Sequence, residues 1–174
     1  YIASGYVTKT IDANNNNAML VAWTDSGESN GGVFSNGGNI VTLKTGSNLI
    51  GIGDYAFKGC ANLTGATLGN GLQYLGKGAF QECKNMSGCS IDTAANLEVI
   101  QEKTFYGDIK LSSFTLPLNV KAICDSAFEG CTALATVQLT AASAGSTTTL
   151  EKTGNYLFKD CTSLTSVTFP DTYV

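Results

Sequence analysis

The chain has 174 residues, with ten lysines, fourteen Asp plus Glu, no arginine and no histidine, for a net charge of −4. That length suits one domain, and lysines scattered singly make neither a nucleic-acid surface nor a patch for anionic membrane. The lack of histidine removes Ser/His and Cys/His nucleophile pairs and the usual general base, and no apolar run approaches the roughly 18 residues of a membrane-spanning helix.

Residues 1–48 differ in texture from the remainder of the chain. Residues 1–7 read as a short strand, 14–17 as a polar Asn tract, AMLVAW at 18–23 as a buried strand and 25–38 as a Gly/Ser/Asn-rich loop. The chain opens at Tyr1 without a signal-peptide pattern, as expected of a mature or trimmed form whose export signal or anchor lies elsewhere. From residue 49 a single pattern takes over. Phe57, Phe80, Phe105, Phe128 and Phe158 succeed one another at intervals of 23, 25, 23 and 30 residues. Eight residues before each Phe stand Leu49, Leu72, Leu97, Val120 and Leu150, and five before it Ile52, Leu75, Ile100, Ile123 and Thr153. Six after it come Leu63, Met86, Leu111, Leu134 and Leu164, and nine after it Ala66, Cys89, Phe114, Val137 and Val167. Leu68, Ile91, Leu116, Leu139 and Phe169 fill the eleventh position, and Cys60, Cys83, Asp108, Cys131 and Cys161 the third. Columns held in register over five copies mark an internal repeat. Phe34, with Ile40 and Leu43 in matching columns, opens the array with a degenerate copy at about 26–48, and the 30-residue interval carries an insert of Ala, Ser, Gly and Thr at 141–149.

Each copy ends in a segment such as LATVQL at 134–139, whose apolar and polar residues alternate as in a half-buried strand. Strands that recur in the same direction once per coil form a parallel sheet. Asp54, Asp125 and Asn155 precede the Phe and suit the cap of one short helical turn, which Gly59, Gly107 and Gly130 can end. The expected fold is therefore a right-handed repeat solenoid. A parallel β-sheet covers one face, and short strands, turns and single helical turns cover the other. No coil buries its own apolar side, so contacts between rungs hold the stack, each large apolar residue contributing roughly 1.5–3 kcal/mol. Residues 1–48, with an irregular strand pair carrying Trp23, are the expected N-terminal cap, a small separate binding element being the alternative; residues 49–174 are five repeats. The final coil ends after VTFP with no polar capping helix, so it is either bare or the chain continues or pairs there.

The six cysteines fall in core columns, where a small thiol packs well, and reduced cysteine is expected. Rungs about 4.8 Å apart do not by themselves bar a disulfide. A line of thiols along a core is not a tetrahedral zinc site.

The strings GDYAFKGCANL, GKGAFQECKNM, CDSAFEGCTAL and GNYLFKDCTSL, with strands FTLP and VTFP, resemble the leucine-rich repeat superfamily and, within it, the BspA-like type. The likeness covers about residues 49–174. The copy around Phe105 departs from it, with Asp108 in the Cys column and Thr104 for Ala, and a looser rung is expected there. The resemblance implies a secreted or surface-attached protein of bacteria or some protists, associated with adhesion to host proteins or other cells.

Positions eight, ten and twelve after each Phe are the expected exposed face of the sheet. Its binding candidates are Thr67, Ser90, Ser113, Thr115, Thr136, Gln138 and Thr168, accompanied by Gly65, Gly69, Gly88, Asp92, Pro117, Thr140, Ser166 and Pro170. This face is small, polar and nearly uncharged, without the Trp, Tyr and Arg anchors of interface hot spots. It suits plain solvation, a glycan or a regular ice lattice. Tyr55, Tyr74, Tyr106 and Tyr156 stand outside the core columns, either exposed on the convex side or flat over the turns. The insert at 141–149 interrupts the array and is a natural place for function. Asn62 and Asn85 sit in glycan-acceptor sequons. Residues 14–17 and 25–29 lack a calcium-ligand pattern, and no catalytic residue, cofactor or metal site is indicated. The expected role is a non-enzymatic, extracellular or cell-surface module, monomeric or weakly self-associating, that binds a protein or glycan of a host or neighbouring cell; it binds no nucleic acid and spans no membrane. A structural spacer or assembly module without a ligand of its own is the alternative.

Overall fold

The computed structural model describes residues 7–11, 18–20, 34, 40–91, 93–117, 119–138 and 150–168. The Asn tract, Trp23, the loop at 25–29, the insert at 141–149 and Asp92, Leu139, Thr140, Phe169 and Pro170 lie outside these residues. The opening strands are β1 (Val7–Ile11), β2 (Ala18–Leu20), β3 (Ile40–Thr45) and β4 (Leu49–Ile52). Later coils each give a three-residue and a two-residue strand: β5 (Gly65–Thr67), β6 (Tyr74–Leu75), β7 (Gly88–Ser90) and β8 (Val99–Ile100). The series continues with β9 (Ser113–Thr115), β10 (Ala122–Ile123), β11 (Thr136–Gln138), β12 (Lys152–Thr153) and β13 (Ser166–Thr168). Every pairing is parallel, and odd-numbered strands pair with odd, even with even. The result is the parallel β-solenoid that the repeat requires, with two strand ladders. β1 and β2 do not pair with each other. Each adds a rung to a different ladder, β1 on β3 and β2 on β4, so the expected strand pair is replaced by an extension of the solenoid.

Register tracks the sequence columns. Leu43, Ala66 and Cys89 stand in line, as do Phe114, Val137 and Val167. Both ladders are interrupted at one junction, between β7 and β9 and between β6 and β8. There the interval between Phe residues lengthens to 25, and the two additional residues fall between Ile91 and Leu97.

A third ladder runs through the turns without interruption. The amides of Tyr55, Phe57 and Gly59 donate to the carbonyls of Lys77, Ala79 and Gln81 in the next coil. Gly78, Phe80 and Glu82 donate to Glu102, Thr104 and Tyr106, and Lys103, Phe105 and Gly107 to Asp125, Ala127 and Glu129. Ser126, Phe128 and Gly130 donate to Asn155, Leu157 and Lys159. The intervening amides close local turns, as Lys58 does on Tyr55 and Cys60 on Phe57. No helix forms among the described residues; the expected helical turn is a chain of such overlapping turns. Residues two before and two after each Phe are left-handed, for example Lys103 (φ 55°) and Gly107 (φ 73°), or Ser126 (φ 55°) and Gly130 (φ 77°). This alternation aims every second amide along the stack.

Asp54 and Asp125 do not cap their own turns. Their Oδ1 atoms accept the amides of Lys77 and Asn155 in the following coil, 2.9 and 2.8 Å away. They tie rungs together.

The Phe column lies inside the turn ladder, its rings stacked nearly parallel with centroids 5.1 to 5.8 Å apart from Phe34 to Phe158. Phe114 tilts onto both Phe105 and Phe128, closing the core toward the strands. The described residues of the apolar columns are buried in the copies from Phe57 to Phe128, and in the last copy Leu150 is buried while the others are half-buried. All six cysteines are free thiols. Their column does more than fill space, because Cys60, Cys83, Cys131 and Cys161 donate S–H to the Phe carbonyl of the preceding coil at 3.0 to 3.1 Å.

Candidate functional site

Strands β5, β7, β9, β11 and β13 present their first and third residues outward. Thr67, Ser90, Ser113, Thr136, Gln138 and Thr168 are exposed and Thr115 is half-buried, its hydroxyl 3.3 Å from Gln138 Oε1. These predicted residues do share one face. Gly69 and Pro117, the described members of the twelfth column, do not belong to it: Gly69 packs on the backbone of Gly46, and Pro117 is buried. Three-residue strands end before that position, and the chain has already turned inward.

Gly65 and Gly88 stand opposite each other in register. A Cβ on Gly88 would meet nothing within 4 Å, and one on Gly65 only the Gly88 carbonyl oxygen at 3.6 Å. Two missing side chains on neighbouring strands leave a groove of about 480 Å³ across β3, β5, β7 and β9. Its floor is Ala66, Cys89 and Phe114, its walls are Thr42, Thr64, Thr67, Ser87, Ser90 and Thr115, and Lys44 supplies the one charge among the residues lining it. A second hollow of about 360 Å³ adjoins it over β9, β11 and β13, between Thr115, Thr136, Gln138 and Thr168. Sequence reading finds Thr67, Ser90 and Thr115 of these walls, and misses Thr42, Thr64, Ser87 and the groove itself. The signal is present, as glycine in the same column of two successive copies.

The tyrosines do not form a common surface. Tyr55 is buried at 7% exposure whereas Tyr156, in the same column, is 67% exposed. Tyr55 is covered because the next coil has Gly78 at the equivalent position, where a Cβ would fall 2.5 Å from the Tyr55 ring. Lys58 and Lys159 lie over the two rings at 5.4 and 5.6 Å. Tyr106 is half-buried. Tyr74 donates its hydroxyl to Asp54 at 2.8 Å, and burial, reinforced by that carboxylate, pushes its pKa up to about 12. Lys77, Lys121 and Lys159 reach across coils to Glu102, Glu98 and Glu129. Ion pairing raises the pKa of each lysine, so these cations act within the stack and do not combine into a basic patch.

Among the described residues no group of three or more Cys, Asp or Glu is placed to hold a metal ion, and no helix is long and apolar enough to cross a membrane. The strand face presents hydroxyls and exposed backbone around a shallow, nearly neutral hollow.

A family model described as BspA type Leucine rich repeat region, in six copies, matches residues 30–146 and 143–174. No curated protein matches the chain. Among solved structures, a leucine-rich repeat protein of T. pallidum is 25% identical with a TM-score of 0.70, the match covering 90% of this chain and 64% of that one. A leucine-rich repeat protein of Bacteroides ovatus ATCC 8483 is 21% identical with a TM-score of 0.57, covering 86% of this chain and 46% of that one. A leucine-rich cell surface protein of Faecalibacterium prausnitzii A2-165 is 23% identical with a TM-score of 0.55, covering 75% and 30%. The chain thus spans just under two thirds of the first protein and less than half of the other two.

Proposed function

Because the chain belongs to the BspA-type leucine-rich repeat family, whose solenoids generally serve as non-enzymatic binding modules, we propose that it is an adhesion module that engages a protein or glycan through its strand face. The groove above Gly65 and Gly88 carries this reading: it is concave, lined by hydroxyls and almost free of charge. Such a surface matches a polar, neutral ligand, such as a glycan or a polar protein loop, better than a nucleic acid. An extracellular or cell-surface setting goes with it, and one structural relative is described as a cell surface protein.

The test is binding of the chain to a panel of glycans and extracellular matrix proteins, with Gly88→Val beside it. The added side chain enters open space, so it fills the groove without disturbing the fold. A saturable partner lost in Gly88→Val supports the reading. A partner that binds both forms equally, or no partner anywhere on the panel, sinks it. A variant lacking residues 141–149 separates binding by the insert from binding by the groove.

The half-buried Phe158, Leu164 and Val167 of the last described coil favour a second reading, a spacer or assembly module that associates through that end. Sedimentation at rising concentration tests the assembly role, and a monomer throughout removes that role.

A further inference from the structure

Asp108 occupies the thiol column of the coil built on Phe105, and it is fully buried. Its Oδ1 accepts the Cys83 amide at 2.8 Å, and its Oδ2 is buried with no partner. The surrounding groups are Glu82 and Cys83 from the preceding turn, Cys89 on β7 and Cys131 from the following turn. None of these is a cation. Burial, aided by the Glu82 charge and opposed by the Cys83 amide, lifts the carboxyl well above its usual value. An isolated buried carboxylate is so costly that such a group takes up a proton instead.

The column shows what that proton is for. At every other described junction the side chain here is a donor, its thiol aimed at the Phe carbonyl of the coil before. A carboxylate cannot donate; a carboxylic acid can. This is also the junction at which both strand ladders are interrupted, leaving the turn ladder, the Phe stack and a few side-chain bonds such as Lys77–Glu102 to hold it. We propose that Asp108 is kept as the neutral acid in the folded protein, filling the thiol's donor role toward Phe80, and that its ionisation loosens the junction between the Phe80 and Phe105 coils. Ionisation releases one proton to solvent and leaves a buried negative charge beside Glu82, with one oxygen unpartnered.

The direction with pH is fixed by that proton. The usual carboxyl value is 3.8, the folded one is higher, and folding therefore retains a proton that the unfolded chain gives up. This contribution to stability is complete below the usual value and is lost as pH rises toward the folded one.

The experiment compares urea unfolding of the wild type and Asp108→Cys, which restores the thiol, from about pH 4 to about pH 8. The unfolding constant of the wild type relative to the variant is expected to rise about tenfold per pH unit until the folded carboxyl ionises. A ratio independent of pH, or one that falls, overturns the proposal. Infrared spectra of wild type labelled in its Asp carboxyls, which need no folded variant, should show a protonated carboxyl band at neutral pH; its absence also overturns it. Amide exchange locates the loosening. Protection of Gly78, Phe80 and Glu82 should fall with pH faster than that of Ser126, Phe128 and Gly130 after correction for intrinsic rates, and equal changes at the two junctions would refute a local effect.

Discussion

On the turn side, each of the four junctions between the copies from Phe57 to Phe158 is closed by three backbone hydrogen bonds and a pair of stacked Phe rings. On the strand side the same junctions carry strands of two to four residues, and one is interrupted in both ladders. The turns also use the more particular residues: Phe in every copy, a thiol in four of five, and left-handed positions that glycine often fills. The strands ask only for an apolar residue pointing inward. Stability is thus concentrated in the turns, and the strand face is free to vary in what it presents.

Three substitutions press on that contrast. Phe128→Ala removes a ring stacked between Phe105 and Phe158 and touched by Phe114, and should cost about 3–5 kcal/mol by denaturant unfolding. Gly76→Ala, just inside the turn segment, places a Cβ 2.5 Å from the backbone of Gly53 and Asp54, and should cost about 1–3 kcal/mol. Gly88→Val on the strand face meets open space and should stay within about 0.5 kcal/mol of wild type. If Gly88→Val proves as damaging as Gly76→Ala, the strand face is a structural element and the contrast fails.

Much of this architecture is legible in the sequence alone. The columns found by counting from each Phe are the buried columns, and the alternation in LATVQL sets the strand register, because burial in a solenoid repeats with the sequence. Asp54 and Asp125 read wrongly as local caps. A sequence displays neighbours along the chain, and the partners of these carboxylates lie 23 and 30 residues away. Tyr55 and Tyr156 are inseparable in sequence for a related reason, since the exposure of one depends on Gly78 in another coil. The groove escapes a sequence reading because glycine reads as a turn residue or a weak strand residue, and only register makes two of them a hollow. Asp108 stands out in sequence as the departure from the pattern; its unpartnered oxygen needs the fold to be seen.

The turn ladder has one further property. Its inter-coil N–H groups all point toward the C-terminal coils and the carbonyls that receive them all point back. Peptide dipoles of about 3.5 D therefore add along the axis instead of cancelling, as they do in a helix. Here, however, the positive end falls at the C-terminal coil, the reverse of an α-helix. The turn ladder is electrically directed, so wherever such a ladder stops, its C-terminal side is left with hydrogen-bond donors and its N-terminal side with acceptors. Two such ends turned C-terminus to C-terminus would set donors against donors, so any stacking through the turns can proceed only head to tail.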